Sequence, residues 1–237
     1  KLKEAGIQVT TGVLTEVARQ LNPHYNFFFE NGRPWIVIKQ AISLDDKVAA
    51  APGQRTAITN QQVYDRVHAE RANYQGILVG SQTAIVDDPM LLTTVKSPYP
   101  PVRIVLDRRG RLGHYPDLHL LTNSEAPTWI LTTNSSLPDQ LANSPAKVFL
   151  LAHGTISEVL STISKEGLQS LYVEGGPTIE RAFAEARRVD ELITYLSPQL
   201  LGNGAVMGFQ NPRPLSSDHP QIEVLGDNVR ICERKSK

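Results

Sequence analysis

The residues with the most chemical potential in this chain of 237 are an acid, a lysine and an arginine carried on separate segments. Glu174 stands at the end of the apolar run Ser170-Leu171-Tyr172-Val173 and is followed by Gly175, Gly176, Pro177 and Thr178. Lys39 interrupts a second apolar run, Pro34 to Ile42. Arg71 follows Val63 and Val67 at successive i+4 positions. A carboxylate past a strand's end, beside a glycine-led helix start, suits a site for an anionic nucleotide and a second ligand. Glycines admit a close ligand, and the free N–H groups of the first helical turn attract a diphosphate. Two adjacent glycines form no complete dinucleotide fingerprint, so capping and turning by the same residues explains them equally well. Lys39 is either an edge-strand lysine with its head in water or a polar-ligand contact. Arg71 binds an anion or a carboxylate, or bonds the carbonyls at its helix end.

The elements that must position these groups can be read from periodicity. Residues 34–42 form a near-continuous apolar run, the pattern of a strand covered on both faces. Thr59 and Gln62 have capping-box spacing and open the helix that carries Arg71. Gly76 to Gly80 is a short buried strand, and Ser81, Gln82 and Thr83 after it suit ligand contact or helix capping. Val102 to Asp107 is a further strand that leaves into Arg108, Arg109 and Arg111, a phosphate cluster or a solvated turn. Strands follow at 128–132 and 147–151, then a helix over 156–165. After the Ser170–Glu174 strand, Ile179, Ala182, Phe183 and Ala186 mark the apolar face of a helix with Pro177 in its first position. Strands near 192–196, 222–225 and 229–233 close the chain. Strand alternating with helix predicts an α/β layered sheet with helices on both faces, and the strand-rich tail predicts antiparallel partners at one edge. Residues 1–31 form an appendage, with a helix end at Ala5-Gly6, a short strand at Ile7 to Val9 and a helical patch ending near Leu21-Asn22-Pro23.

Composition narrows the functions. Lys plus Arg (24) balance Asp plus Glu (24), which gives no global argument for a nucleic-acid or membrane surface. The lone cysteine, Cys232, makes no internal disulfide and no Cys-x-x-Cys site, so a cytoplasmic setting is expected. The six histidines include no His-x-x-x-His pair, and no metal centre is expected. The chain begins at Lys1 without a methionine, as a fragment of a longer protein would.

Taken together, Lys39-Gln40-Ala41-Ile42-Ser43-Leu44-Asp45, Arg71, Gly80-Ser81-Gln82-Thr83 with Asp87-Asp88-Pro89, Val102 to Asp107, Val173 to Thr178 and Val189-Asp190-Glu191-Leu192 resemble the reductase domain of the bifunctional riboflavin-biosynthesis deaminase/reductases. The resemblance runs in order over about residues 34–233. Ala5-Gly6-Ile7, Gly12-Val13-Leu14, Leu21-Asn22 and Phe27-Phe28 are similar to the end of that family's deaminase domain and its connector. It implies a connector over 1–31 and a reductase domain over 32–237. The deaminase zinc motifs are absent from this chain.

The resemblance further implies a dihydrofolate-reductase-like fold with a mostly parallel central sheet, a homodimer, and NADPH as cofactor. The implied substrate is a phosphorylated pyrimidine, 5-amino-6-(5-phosphoribosylamino)uracil, whose opened ribosyl group takes a hydride at C1′. It assigns Gly176, Pro177, Thr178, Ile179, Glu180, Arg181 and Ala182 to the cofactor, with Ala41, Ala57, Thr83 and Asp87 on its other side. Glu174 and Lys39 would meet the substrate's base and ribose, Arg71 its phosphate, and Arg55, Leu91 and Lys96 its surroundings.

Several positions depart from the family pattern. Asp46 stands where the family has glycine, Ala57 where it has tryptophan, and Arg55 where it has serine. Lys96 stands in for a second phosphate arginine, and Arg108 replaces a small hydroxylic residue and would hold the 2′-phosphate. Two other readings remain: a reductase of the same fold on another pyrimidine or pteridine, and a nucleotide-binding or dimerisation module that has lost catalysis, with Asp46 and Ala57 as marks of decay.

Overall fold

A computed structural model describes residues 1–209 and 220–235 of the chain. In chain order the elements are α1 (Thr15–Leu21), α2 (Pro23–Asn31), β1 (Trp35–Ser43), β2 (Lys47–Ala49), α3 (Gln61–Arg71), β3 (Gly76–Gly80), α4 (Ser81–Asp87), β4 (Val102–Leu106) and α5 (His119–Thr122). There follow β5 (Thr128–Thr132), α6 (Leu137–Gln140), β6 (Lys147–Leu150), α7 (Ile156–Lys165), β7 (Ser170–Val173), α8 (Gly176–Glu185), β8 (Glu191–Ser197), β9 (Val206–Met207), β10 (Gln221–Leu225) and β11 (Asn228–Arg234).

Nine strands form one sheet in the order β10-β11-β8-β1-β7-β3-β4-β5-β6. The run from β8 to β6 is parallel, and β11 and β10 join β8 as the antiparallel edge expected of the strand-rich tail. Strand alternation divides the core by face. Ile36, Ile38, Leu78 and Ile104 point to α7 and α8, where they meet Leu160, Ile163 and Phe183. Their neighbours Ile77, Val79 and Val105 point the other way, against Ala84 of α4 and Leu120, Leu121 and Leu137. Val37, Tyr172, Ile193 and Tyr195 pack beneath Val63 and Val67 of α3. Both faces of the central strands are thus covered, which is why they read as continuous apolar runs. At Gly76 the packing is so close that a Cβ would lie 2.7 Å from Leu171 Cδ2.

Three local expectations change. The helix of Arg71 is capped by Asn60, whose side chain accepts from Val63 N at 3.0 Å, not by Thr59; adjacent Thr and Asn are both good caps, and asparagine has the geometry here. Ile7 to Val9 is not a strand, because this exposed stretch lies beside no partner strand. Residues 23–31, expected as part of the appendage after the helical patch, form α2, begun by a proline in its first turn. α2 buries none of its residues, and Phe27 meets Trp35 edge-on at 4.9 Å between centroids.

Candidate active site

β1, β3 and β4, and the residue that follows β7, open onto one cavity of roughly 1530 Å³. Open parallel sheets collect ligands at the carboxyl ends of their strands, and this volume exceeds the ~300–1,000 Å³ typical of a pocket for one small ligand. The space suits two bound molecules.

The central position of β1 removes the edge reading of Lys39. β1 is hydrogen-bonded to β7 on one side and β8 on the other, so Lys39 is no edge residue. It lies at the middle of β1, lines the cavity, and its Nζ stands 3.9 Å from Glu174 Oε2 and 5.8 Å above the centre of the Tyr195 ring. β7 ends at Val173, one residue earlier than expected, although Glu174 N still donates to Leu78 O at 2.8 Å. That bond fixes where the Glu174 side chain leaves the sheet.

Arg71 meets this carboxylate as a fork. Its Nε donates to Glu174 Oε1 at 2.7 Å and its Nη2 to Oε2 at 3.0 Å, while Nη1 reaches the Leu92 carbonyl at 3.3 Å. Of the roles open to Arg71 the carboxylate is the one filled, and the carbonyl it reaches belongs to Leu92 beyond α4, not to its own helix end. Burial works against the Glu174 charge, but Arg71 and then Lys39 outweigh it and hold the carboxyl down at about 2. Arg71 is tied in place from below. The preceding Glu70 points inward and accepts from the Tyr172 and Tyr195 hydroxyls at 2.8 Å each and from Arg230 Nε at 2.7 Å, which fastens the end of α3 to β7, β8 and β11.

Two residues past Glu174 is the start of α8. Gly176 has φ of 72°, a left-handed conformation that glycine adopts without strain, and a Cβ on Gly175 would fall 2.4 Å from Ile179 Cγ2. The two glycines thus have separate reasons. Pro177 is the second residue of α8 where the first position was expected. Thr83 of α4 faces the same turn, its Oγ1 3.7 Å from where a Gly176 Cβ would stand.

Pro177, Thr178, Ile179, Glu180 and Ala182 line the cavity along α8, and Ala41, Ala57, Thr83 and Asp87 line its other walls. Burial pushes the Asp87 carboxyl up, and Arg55 opposes it. Arg55, Leu91 and Arg108 also line the cavity, together with Arg109 and Arg111, the latter donating to Gln82 Oε1 at 2.9 Å. Two assigned residues lie outside the lining. Lys96 sits exposed in the irregular stretch after Leu91, and Arg181 is on the outward side of α8, one position round from buried Glu180.

Asp46 has φ of 59°, the conformation that makes glycine the easy choice and that aspartate tolerates better than most residues. Its carbonyl accepts from Gly208 N at 2.9 Å, so the exchange leaves the turn intact. Ala57 lines the cavity with a methyl group where the family pattern has tryptophan.

Sequence reasoning missed three features of this site. Tyr64 and His68, their rings tilted by 33° at 4.0 Å between centroids, line the cavity on the Arg71 side of α3. Their spacing of 64, 68 and 71 on one helical stripe was the available signal. Burial and Arg71 lower the His68 pKa, which favours a neutral imidazole. The third is the burial of Glu180, a residue the resemblance assigned to the cofactor. The apolar face of α8 was expected to consist of Ile179, Ala182, Phe183 and Ala186, yet Glu180 is 3% exposed and Ala186 is only half-buried. Its Oε2 has no hydrogen-bond partner, and burial pushes its carboxyl up to about 8.

The chain is similar to known proteins over nearly its whole length. The chain is 34% identical over 97% of its length to the riboflavin biosynthesis protein RibD of Bacillus amyloliquefaciens, of which it spans 65%. It is 30% identical over 86% of its length to the 2,5-diamino-6-ribosylamino-4(3H)-pyrimidinone 5′-phosphate reductase of Methanothermobacter thermautotrophicus, covering 93% of that protein. Among solved structures, Acinetobacter baumannii RibD superposes with a TM-score of 0.82 at 27% identity, over 100% of this chain and 67% of that one. The fold is dihydrofolate-reductase-like. Residues 34–230 match the RibD C-terminal domain, and the chain belongs to that family.

Proposed function

We propose that this chain is an NADPH-dependent reductase that converts the ribosyl group of 5-amino-6-(5-phosphoribosylamino)uracil to its ribitylamino product, a step of riboflavin biosynthesis. The observation that carries this reading is the convergence of Lys39, Arg71 and Glu174 in one cavity with the glycine-led start of α8. The sequence similarity to a pyrimidinone 5′-phosphate reductase supports the substrate class.

The residues present fit the cofactor. The free amides of the first turn of α8 would hold the diphosphate, with Thr83 beside them, and Arg108, Arg109 and Arg111 offer a cationic rim for a 2′-phosphate. Reduced nicotinamide, when bound, supplies the hydride. The chain's own work is orientation and exclusion of water. Arg71 spends three of its five N–H groups in the unliganded site, leaving two for a substrate phosphate while it keeps Glu174 in place. Glu174 accepts from the substrate's ring N–H or ribosyl hydroxyl through its remaining lone pairs, and Lys39, loosely paired at 3.9 Å, has N–H groups left for the ribosyl oxygen or nitrogen. Consumption of NADPH on adding the phosphoribosylamino-pyrimidine tests the reading. Binding of the nucleotide without turnover would leave a dead module instead.

One observation favours a second reading, a reductase of the same fold on another pyrimidine or pteridine: Lys96, the expected second phosphate contact, is exposed outside the cavity. Equal turnover of phosphorylated and dephosphorylated pyrimidines would support it. Asp46 is no mark of decay, since its turn is intact. Residues 1–31 we infer to be a connector from a preceding domain and 32–237 the reductase domain, supported by the absence of buried side chains in α2. A homodimer and a cytoplasmic setting belong to the same reading. Among the described residues no helix is long and apolar enough to cross a membrane.

A further inference from the structure

Among the described residues, Glu180 is the ionisable side chain lining the cavity that is buried with an oxygen lacking any partner. A carboxylate in that position would lose its hydration and gain too little in return, so the neutral acid is favoured. The charged groups that act on it come from two neighbouring elements. Lys39 of β1 favours its ionised form, as does the Gly176 N–H at the start of its own helix, while Glu174 beyond the end of β7 disfavours it. Burial exceeds all of these, and its carboxyl is pushed up to about 8. Six residues apart on one strand, turn and helix, Glu174 is thus a paired carboxylate and Glu180 a neutral acid. Environments that drive two carboxyls apart in this way assign them different work.

We propose that Glu180 is the proton store of this site, acting through Lys39. The inference rests on the reductase reading. When the opened ribosylamine is reduced, a hydride with its electron pair forms a C–H bond at C1′, the π pair of the C1′–nitrogen double bond moves to nitrogen, and nitrogen takes one proton. Lys39 gives that proton and is left as a neutral amine. Glu180, which feels the Lys39 charge without forming an ion pair with it, then returns a proton to Lys39 through solvent in the cavity, becomes a carboxylate, and regains a proton from water after the product leaves. One hydride and one proton enter the substrate, and the protein returns to its first state.

The test is Glu180→Gln, which keeps shape and neutrality and removes the transferable proton. The wild type should lose turnover as pH rises through about 8. The variant should turn over on the order of tenfold or more slowly at neutral pH and lack that alkaline limb. Difference infrared spectroscopy supplies a readout apart from activity: a protonated-carboxyl band present at neutral pH, titrating near 8 in the wild type and missing in the variant. Wild-type turnover in the variant with its alkaline limb intact would overturn the proposal, as would an ionised Glu180 at neutral pH. A working reductase with an unchanged Glu180→Gln profile removes only the proton store. A wild type that oxidises no NADPH with the pyrimidine removes the reductase reading and the proton delivery with it.

Discussion

The two ends of the cavity handle charge in opposite ways. At the end of β7, Arg71, Lys39 and Glu174 have side chains only 10%, 15% and 11% exposed and are paired with one another. At the opposite rim, Arg108 and Arg109 are exposed and Arg111 is held by the neutral Gln82. A buried pair in low dielectric is rigid and costly to break, whereas exposed cations act through a screened field. The first arrangement suits a group that must be placed to a fraction of an ångström, the second a phosphate that has only to be attracted. Substitutions should therefore divide by end, in kind as well as size.

Arg71→Ala should have the largest effect. It leaves Glu174 buried with only Lys39 at 3.9 Å, and removing one partner of a buried pair costs on the order of 3–5 kcal/mol. Urea unfolding should show that loss, and turnover should fall with it. Arg71→Met combined with Glu174→Gln should recover most of the stability and none of the activity, because the uncompensated charge is gone while the site is still empty of its groups. The pH dependence has a defined sign. The Glu174 carboxyl is held at about 2 against an ordinary 4.5, so its contribution is present above 4.5 and is lost as pH falls toward 2. Arg71→Ala should lose most of that acid limb, keeping only the part that Lys39 supplies. Next in size, Glu174→Gln should lower turnover on the order of 100-fold with NADPH affinity within a factor of two. Unchanged turnover would show that the buried end is a structural clamp only.

Glu180 turns the same measurement around. Its carboxyl lies at about 8, above its ordinary 4.5, so the folded state holds the extra proton and stability is full below 4.5 and falls as pH rises toward 8. Glu180→Gln should flatten that fall, and unfolding free energies across this window measure it.

Much of this architecture could be read from residue order. β1, β3, β4 and β7 are apolar on both faces because helices cover both, and a pattern of that kind survives in a single sequence. Sheet order does not survive, since β1 pairs with β7 and β8 across more than a hundred residues, and so Lys39 looked as suited to an edge as to the centre. The same distance hid the partnership of Arg71 with Glu174. Periodicity put Arg71 on the buried stripe with a need for an anion, but only the fold supplies which one. Glu180 was obscured for a different reason. Amphipathic periodicity assigns faces by residue type, so a glutamate beside Ile179 is taken as solvated, and no count of types shows that the fold buries it in the cavity lining. Its place came from the family resemblance, and its protonation from burial.

At the exposed rim the effect should be smallest. The Arg108 side chain runs over Gly154, where a Cβ would lie 3.1 Å from its Cδ, and its carbonyl accepts from the Thr133 hydroxyl at 2.7 Å. Arg108→Ala keeps the backbone carbonyl, and so the turn, and removes only the guanidinium. Stability should stay within about 0.5 kcal/mol, as for surface substitutions generally. The preference for NADPH over NADH should narrow by roughly threefold to tenfold, the scale of one exposed charge contact near 1 kcal/mol. Raising salt should erode the wild-type preference toward that of the variant, because the Debye length is only ~8 Å at 0.15 M. Arg71 should show no such erosion, since its pair is shielded from mobile ions. A preference that resists both salt and Arg108→Ala would move 2′-phosphate recognition to the half-buried Arg111, and the rim would then hold its charge as rigidly as the opposite end does.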